Sequence, residues 1–140
     1  MENLFFHKEE ISFRIPESTR IKSWLNLIAK KGKVKIIALN YIFCSDEYLY
    51  AMNMEYLNHN TYTDIITFDQ SEVKGMIEGD IFISIDRVKE NALTLGIPFS
   101  LELKRVMAHG LLHLMGYKDK TKADQTAMRK KEDECLSLYK

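Results

Sequence analysis

Cysteine is scarce in this chain, with only Cys44 and Cys135 among 140 residues, far apart and outside any C-x-x-C spacing. That excludes a disulfide framework and predicts two reduced thiols in a cytosolic protein. An excess of either charge is also missing: 20 Lys and Arg balance 20 Asp and Glu, for a formal net charge of zero. With no strongly positive overall field, contact with nucleic acid must come from a local basic patch, and no DNA binding is expected. Long apolar runs are absent too. The N-terminal stretch Met1-Glu2-Asn3-Leu4-Phe5-Phe6-His7 places an acid second and has only three consecutive large apolar residues, so it is no signal peptide. No stretch approaches the length of a membrane span, and the chain reads as cytoplasmic. Without a Pro- or Ser-rich linker or an internal repeat, residues 1–140 are expected to form one domain.

What is present is ordinary globular patterning. Glu10 to Ile15 alternates apolar and polar residues and predicts a short strand. Pro16 suits a first helical turn, and Ile21, Trp24, Leu25 and Ile28 recur at helical spacing up to Gly32. Lys33 to Phe43 is β-branched and largely alternating, which predicts a strand. Ser45, with Asp46 and Glu47 behind it, predicts an N-cap for a helix running to about Leu57. Asp64 to Phe68 and Asp80 to Ile85 predict two strands paired as a hairpin across the loop from Gln70 to Gly79. Helices are predicted from Asp86 to Gly96, from Pro98 to Gly116 and from Lys122 to Tyr139. The order β-α-β-α-β-β-α-α-α predicts an α+β domain with a small mixed four-stranded sheet flanked by helices.

Chemistry concentrates in the helix from Pro98 to Gly116. His109 and His113 are four residues apart, so on a helix they lie on one face and can share an ion. Gly116 can take the left-handed conformation that ends a helix and turns the chain back, which would bring Asp119 toward the two imidazoles. Two nitrogens and a carboxylate leave the fourth position of a tetrahedral metal open, the pattern of a catalytic Zn²⁺. The helix is thus zincin-like, but zinc peptidases of the His-Glu-x-x-His type carry their general base beside the first histidine. That position here is Gly110, which takes no proton. Zinc deaminases are disfavoured because no Pro-Cys-x-x-Cys pair exists.

The run His109-Gly110-Leu111-Leu112-His113-Leu114-Met115-Gly116-Tyr117 closely resembles the signature of the YbeY family of ribosomal RNA maturation factors. The elements Leu57-Asn58, Tyr62 to Phe68 and Gly79-Asp80-Ile81 resemble further ordered motifs of that family. The resemblance implies a metal-dependent endoribonuclease with a zinc ion held by three histidines. His109 and His113 occupy two of those positions, and the third falls on Asp119, so the site here is two histidines plus a carboxylate. A charged third ligand makes the ion a weaker Lewis acid and admits harder metals such as Mn²⁺. The family also carries an arginine in the loop before its Thr-Asp element. Here that loop is shortened to His59-Asn60-Thr61-Tyr62 and holds none.

Other residues have two readings each. Lys118 and Lys120 flank the site and either hold RNA phosphates as point charges or belong to a solvated loop. Asp64 and Asp80, at the starts of short strands, either orient the metal-bound water or a ligating imidazole, or cap backbone amides. His59 reads as an exposed loop residue. Arg129, Lys130 and Lys131, followed by Glu132, Asp133 and Glu134, read as a solvated helix face. The expected function is metal-assisted hydrolysis of RNA phosphodiesters in ribosomal RNA maturation, with rRNA or a ribosomal particle as partner. The alternative is a non-catalytic, metal-containing ribosome-assembly factor that binds rRNA or a ribosomal protein. A zinc peptidase or amidase ranks below both.

Overall fold

The computed structural model describes residues 2–58 and 62–140, and the readings of His59 and of the shortened loop, apart from Tyr62, lie outside that range. Nine elements follow in the expected order: β1 (Leu4–Glu9), α1 (Ser18–Lys31), β2 (Lys35–Cys44), α2 (Asp46–Leu57), β3 (Ile65–Asp69), β4 (Met76–Ser84), α3 (Ile85–Leu95), α4 (Phe99–Leu114) and α5 (Lys122–Ser137). The sheet order is β1-β2-β4-β3, with β1 and β4 parallel to β2 and β3 antiparallel to β4. This is the mixed four-stranded sheet that the α+β reading anticipates, hairpin included. None of these helices is long and apolar enough to cross a membrane.

The first strand differs from expectation. Pairing with β2 begins at Leu4 and stops at Glu9, and Glu10 then takes a positive φ of 52°. Ile11, Phe13 and Ile15 still pack against the core. The alternation from Glu10 to Ile15 therefore reports a segment with one inward face, but no neighbouring strand is there to form a ladder with it. Elsewhere the local chemistry does as its residues dictate. The Ser45 side chain accepts from the Tyr48 amide, and Ser84 caps α3 in the same way.

The sheet's two faces are unequal. Leu39, Tyr41 and Phe43 of β2, with Ile77, Ile81 and Ile83 of β4, turn into the large core beneath α1, α4 and α5. The alternate residues of the same strands face the other way, where α2 covers a smaller cluster around Cys44, Leu49 and Ile66. Helix α4 is clamped into the large core: the buried Tyr41 hydroxyl donates to the Met107 carbonyl at 2.8 Å. The Trp24 indole donates to the Cys135 carbonyl at 2.7 Å, tying α1 to α5. Both cysteines are buried and free, and burial pushes the Cys44 thiol up to about 12 and the Cys135 thiol up to about 11. Neither is a nucleophile at neutral pH.

Gly110 sets how closely α4 approaches the sheet. A Cβ there would lie 2.9 Å from Ile65 Cδ1 and 3.0 Å from two carbons of Ile81. The residue that removes the peptidase base is thus a packing requirement of this helix–sheet contact. Gly110→Val is expected to lower the unfolding free energy by about 2 kcal/mol through overpacking, as measured by urea denaturation.

Candidate metal centre

The site is built from one helix, one turn and the helix that returns over them. Along α4, Glu102, Arg105, His109 and His113 recur at spacings of three and four, so they form one polar stripe along the helix. The helix ends at Leu114. Gly116 then adopts φ 107°, and the Tyr117 amide donates to the Leu112 carbonyl at 3.0 Å. This reversal carries Asp119 back toward the helix face. The Gln125 amide side chain donates to the Asp119 carbonyl at 3.2 Å and fixes the loop against α5. A capping box between Thr121 and Asp124 starts α5.

Three ligand atoms converge. His109 Nε2 and His113 Nε2 are 3.0 Å apart, and Asp119 Oδ2 lies 3.3 Å from the first and 3.2 Å from the second. Around a tetrahedral ion with bonds of about 2.0–2.1 Å, neighbouring ligand atoms lie about 3.3 Å apart. The three atoms therefore fit one such ion. The imidazole rings stand nearly perpendicular, at 80°. All three groups are partly exposed, so the centre is open on one side.

The remaining ring nitrogen of His109 is also occupied. Nδ1 donates to Glu132 Oε2 at 2.6 Å, which leaves Nε2 of the neutral ring as a lone pair aimed at the centre. Glu132 is only 5% exposed, and its other oxygen accepts from Arg105 Nη1 at 3.1 Å. Arg105 in turn donates to Asp133 at 2.9 Å. Burial alone would lower the His109 pKa, but the hydrogen bond and charge of Glu132, with Asp119 and Asp64 behind it, hold it above the ordinary value.

The solvated-face reading of residues 129–134 therefore needs correction. Glu132 points inward because it falls in line with Met128 and Cys135, the buried stripe of α5. Its neighbours Arg129 and Lys130 stay at the surface. A carboxylate set within an apolar stripe of an amphipathic helix is the sequence signal that could have identified it.

The two aspartates separate. Asp64 lines a cavity of about 310 Å³ beside His109, together with Asp119, Glu102, Arg105 and Arg129. Burial raises its pKa, only partly opposed by His109. Asp80 lies on the opposite face of the sheet: its neighbour Ile81 turns into the core under α4. Its carboxylate instead accepts from Asn40 at 3.1 Å and Gln70 at 3.3 Å, beside a cleft under α2. The period of two along β4 thus turns Asp80 away from the metal helix and sets aside the first of its two readings, that of orienting the metal-bound water or a ligating imidazole. Lys118 and Lys120 are exposed on the loop that carries Asp119.

Glu102 is the other buried carboxyl, 6% exposed, and its Oε1 has no hydrogen-bond partner. Burial, then the charge of Asp64, raises its pKa. The folded state therefore holds this proton more tightly than the unfolded chain does. Ionising it costs stability above the folded pKa and nothing below the unfolded one. Glu102→Gln is expected to stabilise the protein at pH 8 by on the order of 1 kcal/mol, with little gain below pH 4, by thermal unfolding at both.

Comparison with known proteins agrees with this architecture. The family model described as Endoribonuclease YbeY matches residues 5–140. A relative from Cytophaga hutchinsonii named Endoribonuclease YbeY is 60% identical over 139 residues, covering 99% of this chain and 97% of its own. One of the same name from Flavobacterium psychrophilum is 51% identical, covering 93% and 92%. Among solved structures, the solution structure of TM1509 from Thermotoga maritima superposes with a TM-score of 0.68 at 25% identity, covering 97% of this chain and 88% of that one. With its α+β sheet order, its metal-competent pair of histidines and a match along nearly its whole length, the chain belongs to the endoribonuclease YbeY family.

Proposed function

We propose that this chain is a metal-dependent endoribonuclease of ribosomal RNA maturation, with one zinc ion held by His109, His113 and Asp119. The observation that carries this reading is the convergence of His109 Nε2, His113 Nε2 and Asp119 Oδ2 within 3.0–3.3 Å of one another. Bound zinc would supply a Lewis acid for a phosphoryl oxygen and a water of lowered pKa. The chain's own residues do the rest. Glu132 fixes the tautomer and the ring plane of His109 through Nδ1. Asp64, whose pKa burial raises, lines the cavity beside His109 and would orient water there. Lys118 and Lys120 supply positive charge on the loop of Asp119 and offset that of RNA phosphates.

The partner is rRNA, free or within a ribosomal particle, acted on by a single domain spanning residues 1–140. Two buried, unpaired cysteines fit a reducing cytoplasm. A peptidase reading has no support from the position beside the first histidine, where Gly110 abuts Ile65 and Ile81.

The test is cleavage of a ribosomal RNA fragment by zinc-loaded protein. Wild type is expected to cut it, and His109→Ala to leave it intact. If zinc-loaded wild type also leaves it intact, the non-catalytic assembly-factor reading replaces this one.

A further inference from the structure

We propose that Arg129 is a substrate-binding residue whose guanidinium holds a non-bridging phosphate of RNA beside the metal centre. This rests on the endoribonuclease reading above. The cavity next to His109 is rich in carboxylates, with Asp64, Glu102 and Asp119 all on its wall. Bound zinc would offset Asp119, but a phosphodiester entering the cavity still meets Asp64 and Glu102, and a second facing cation lowers that repulsion. Two guanidiniums line the same cavity, and their circumstances differ.

Arg105 has both Nη nitrogens engaged, with Glu132 and Asp133, and its side chain is 13% exposed; of its guanidinium only the buried Nε lacks a partner. Arg129 is 57% exposed, and its one ion-pair contact among the described residues is Nη1 to Glu132 Oε1 at 3.8 Å. That oxygen already accepts from Arg105 at 3.1 Å. No hydrogen bond among the described residues engages the Arg129 guanidinium, so its fork of N–H donors remains available.

The placement is also directed. Arg129 sits one turn before Glu132 on α5, and Glu132 is the carboxylate that holds His109. One buried residue therefore ties the metal-facing imidazole to the helix that presents the free guanidinium. A planar guanidinium pairs with two phosphate oxygens at once, which the ammonium groups of Lys118 and Lys120 do not. Lys130, the next residue, is exposed and lines no part of this cavity, so it gives a control of equal charge.

The experiment measures binding and cleavage of a short fluorescein-labelled single-stranded RNA by zinc-loaded wild type, Arg129→Ala, Arg129→Lys and Lys130→Ala. Arg129→Ala is expected to weaken binding and kcat/KM roughly 10-fold or more, consistent with loss of a charge-assisted pair. The slope of log affinity against log salt should fall by about 0.7, the value for one phosphate contact on a single strand. Arg129→Lys should keep that slope while recovering only part of the affinity. Zinc content and thermal midpoint should match wild type throughout, and Lys130→Ala should behave as wild type. The proposal is overturned if Arg129→Ala leaves affinity and salt slope unchanged, or if Lys130→Ala reduces both equally. Wild type that binds RNA but does not cut it sinks the endoribonuclease reading alone, because the salt slope still judges Arg129. Wild type that binds no RNA overturns both.

Discussion

His113→Ala is expected to reduce zinc affinity at least about 100-fold and to abolish RNA cleavage while leaving the fold intact. Loss of an outer hydrogen-bond partner of a metal ligand alone costs about 10–100-fold, and removing a ligand costs no less. The remaining pair, His109 and Asp119, lies 3.3 Å apart and offers only two protein atoms to an ion that takes three or four. His113 is partly exposed near the end of α4, so its truncation leaves no large cavity in the core. Stability without metal should therefore change little. Competitive zinc titration against a chromophoric chelator, with circular dichroism alongside, measures both quantities. Unaltered zinc affinity in His113→Ala would remove this residue from the centre.

The second large effect belongs to Glu132. Glu132→Ala is expected to cost about 3–5 kcal/mol of stability, because it removes the buried carboxylate shared by Arg105 and His109 and leaves Arg105 only the exposed Asp133. The same substitution frees Nδ1 of His109 and should weaken zinc binding about 10–100-fold. Glu132→Gln separates these roles. Its amide oxygen can still accept from one partner, so it should fold better than the alanine variant while still losing the charge that faces His109 and Arg105. Urea denaturation and zinc titration of both variants provide the comparison. A Glu132→Ala protein as stable as wild type would mean that Arg105 finds another partner, such as more of Asp133, and that the pair matters little.

The order of the nine elements was legible because periodicity, caps and glycine breaks agree along most of the chain. Ser45, Gly96 and Gly116 each mark a boundary that the backbone adopts. The first strand lies before the stretch that alternation predicts, because alternation reports an inward face, not a hydrogen-bonded neighbour. Ile11, Phe13 and Ile15 turn inward without a ladder, whereas the less regular Leu4–Glu9 pairs with β2. Asp80 keeps two readings in the sequence for a related reason: which face of β4 it takes depends on where α4 packs, a long-range fact. The spacing of His109, His113 and Asp119 anticipated the convergence seen here, since a helix and one turn are local.

The supporting shell was harder to read. Arg105 and Glu132 meet only when α5 folds back over α4 across an interval of 27 residues. Even so, each lies in a stripe whose other members are informative. Arg105 shares a face with both histidines, and Glu132 interrupts the apolar line of Met128 and Cys135. A charged residue at a position that the helical period assigns to the core needs a buried partner, and that rule points to Glu132, while Arg105 is marked by the face it shares with the histidines.

One ion at His109, His113 and Asp119 is proposed to enable RNA cleavage. Protein stripped with a chelator, then titrated with zinc while the initial rate of RNA cleavage is recorded, tests it most directly. The rate should start near zero, rise linearly and level off near one equivalent, and His113→Ala should stay flat across the same range. Full cleavage by the stripped protein, or equal recovery by His113→Ala, would contradict the claim.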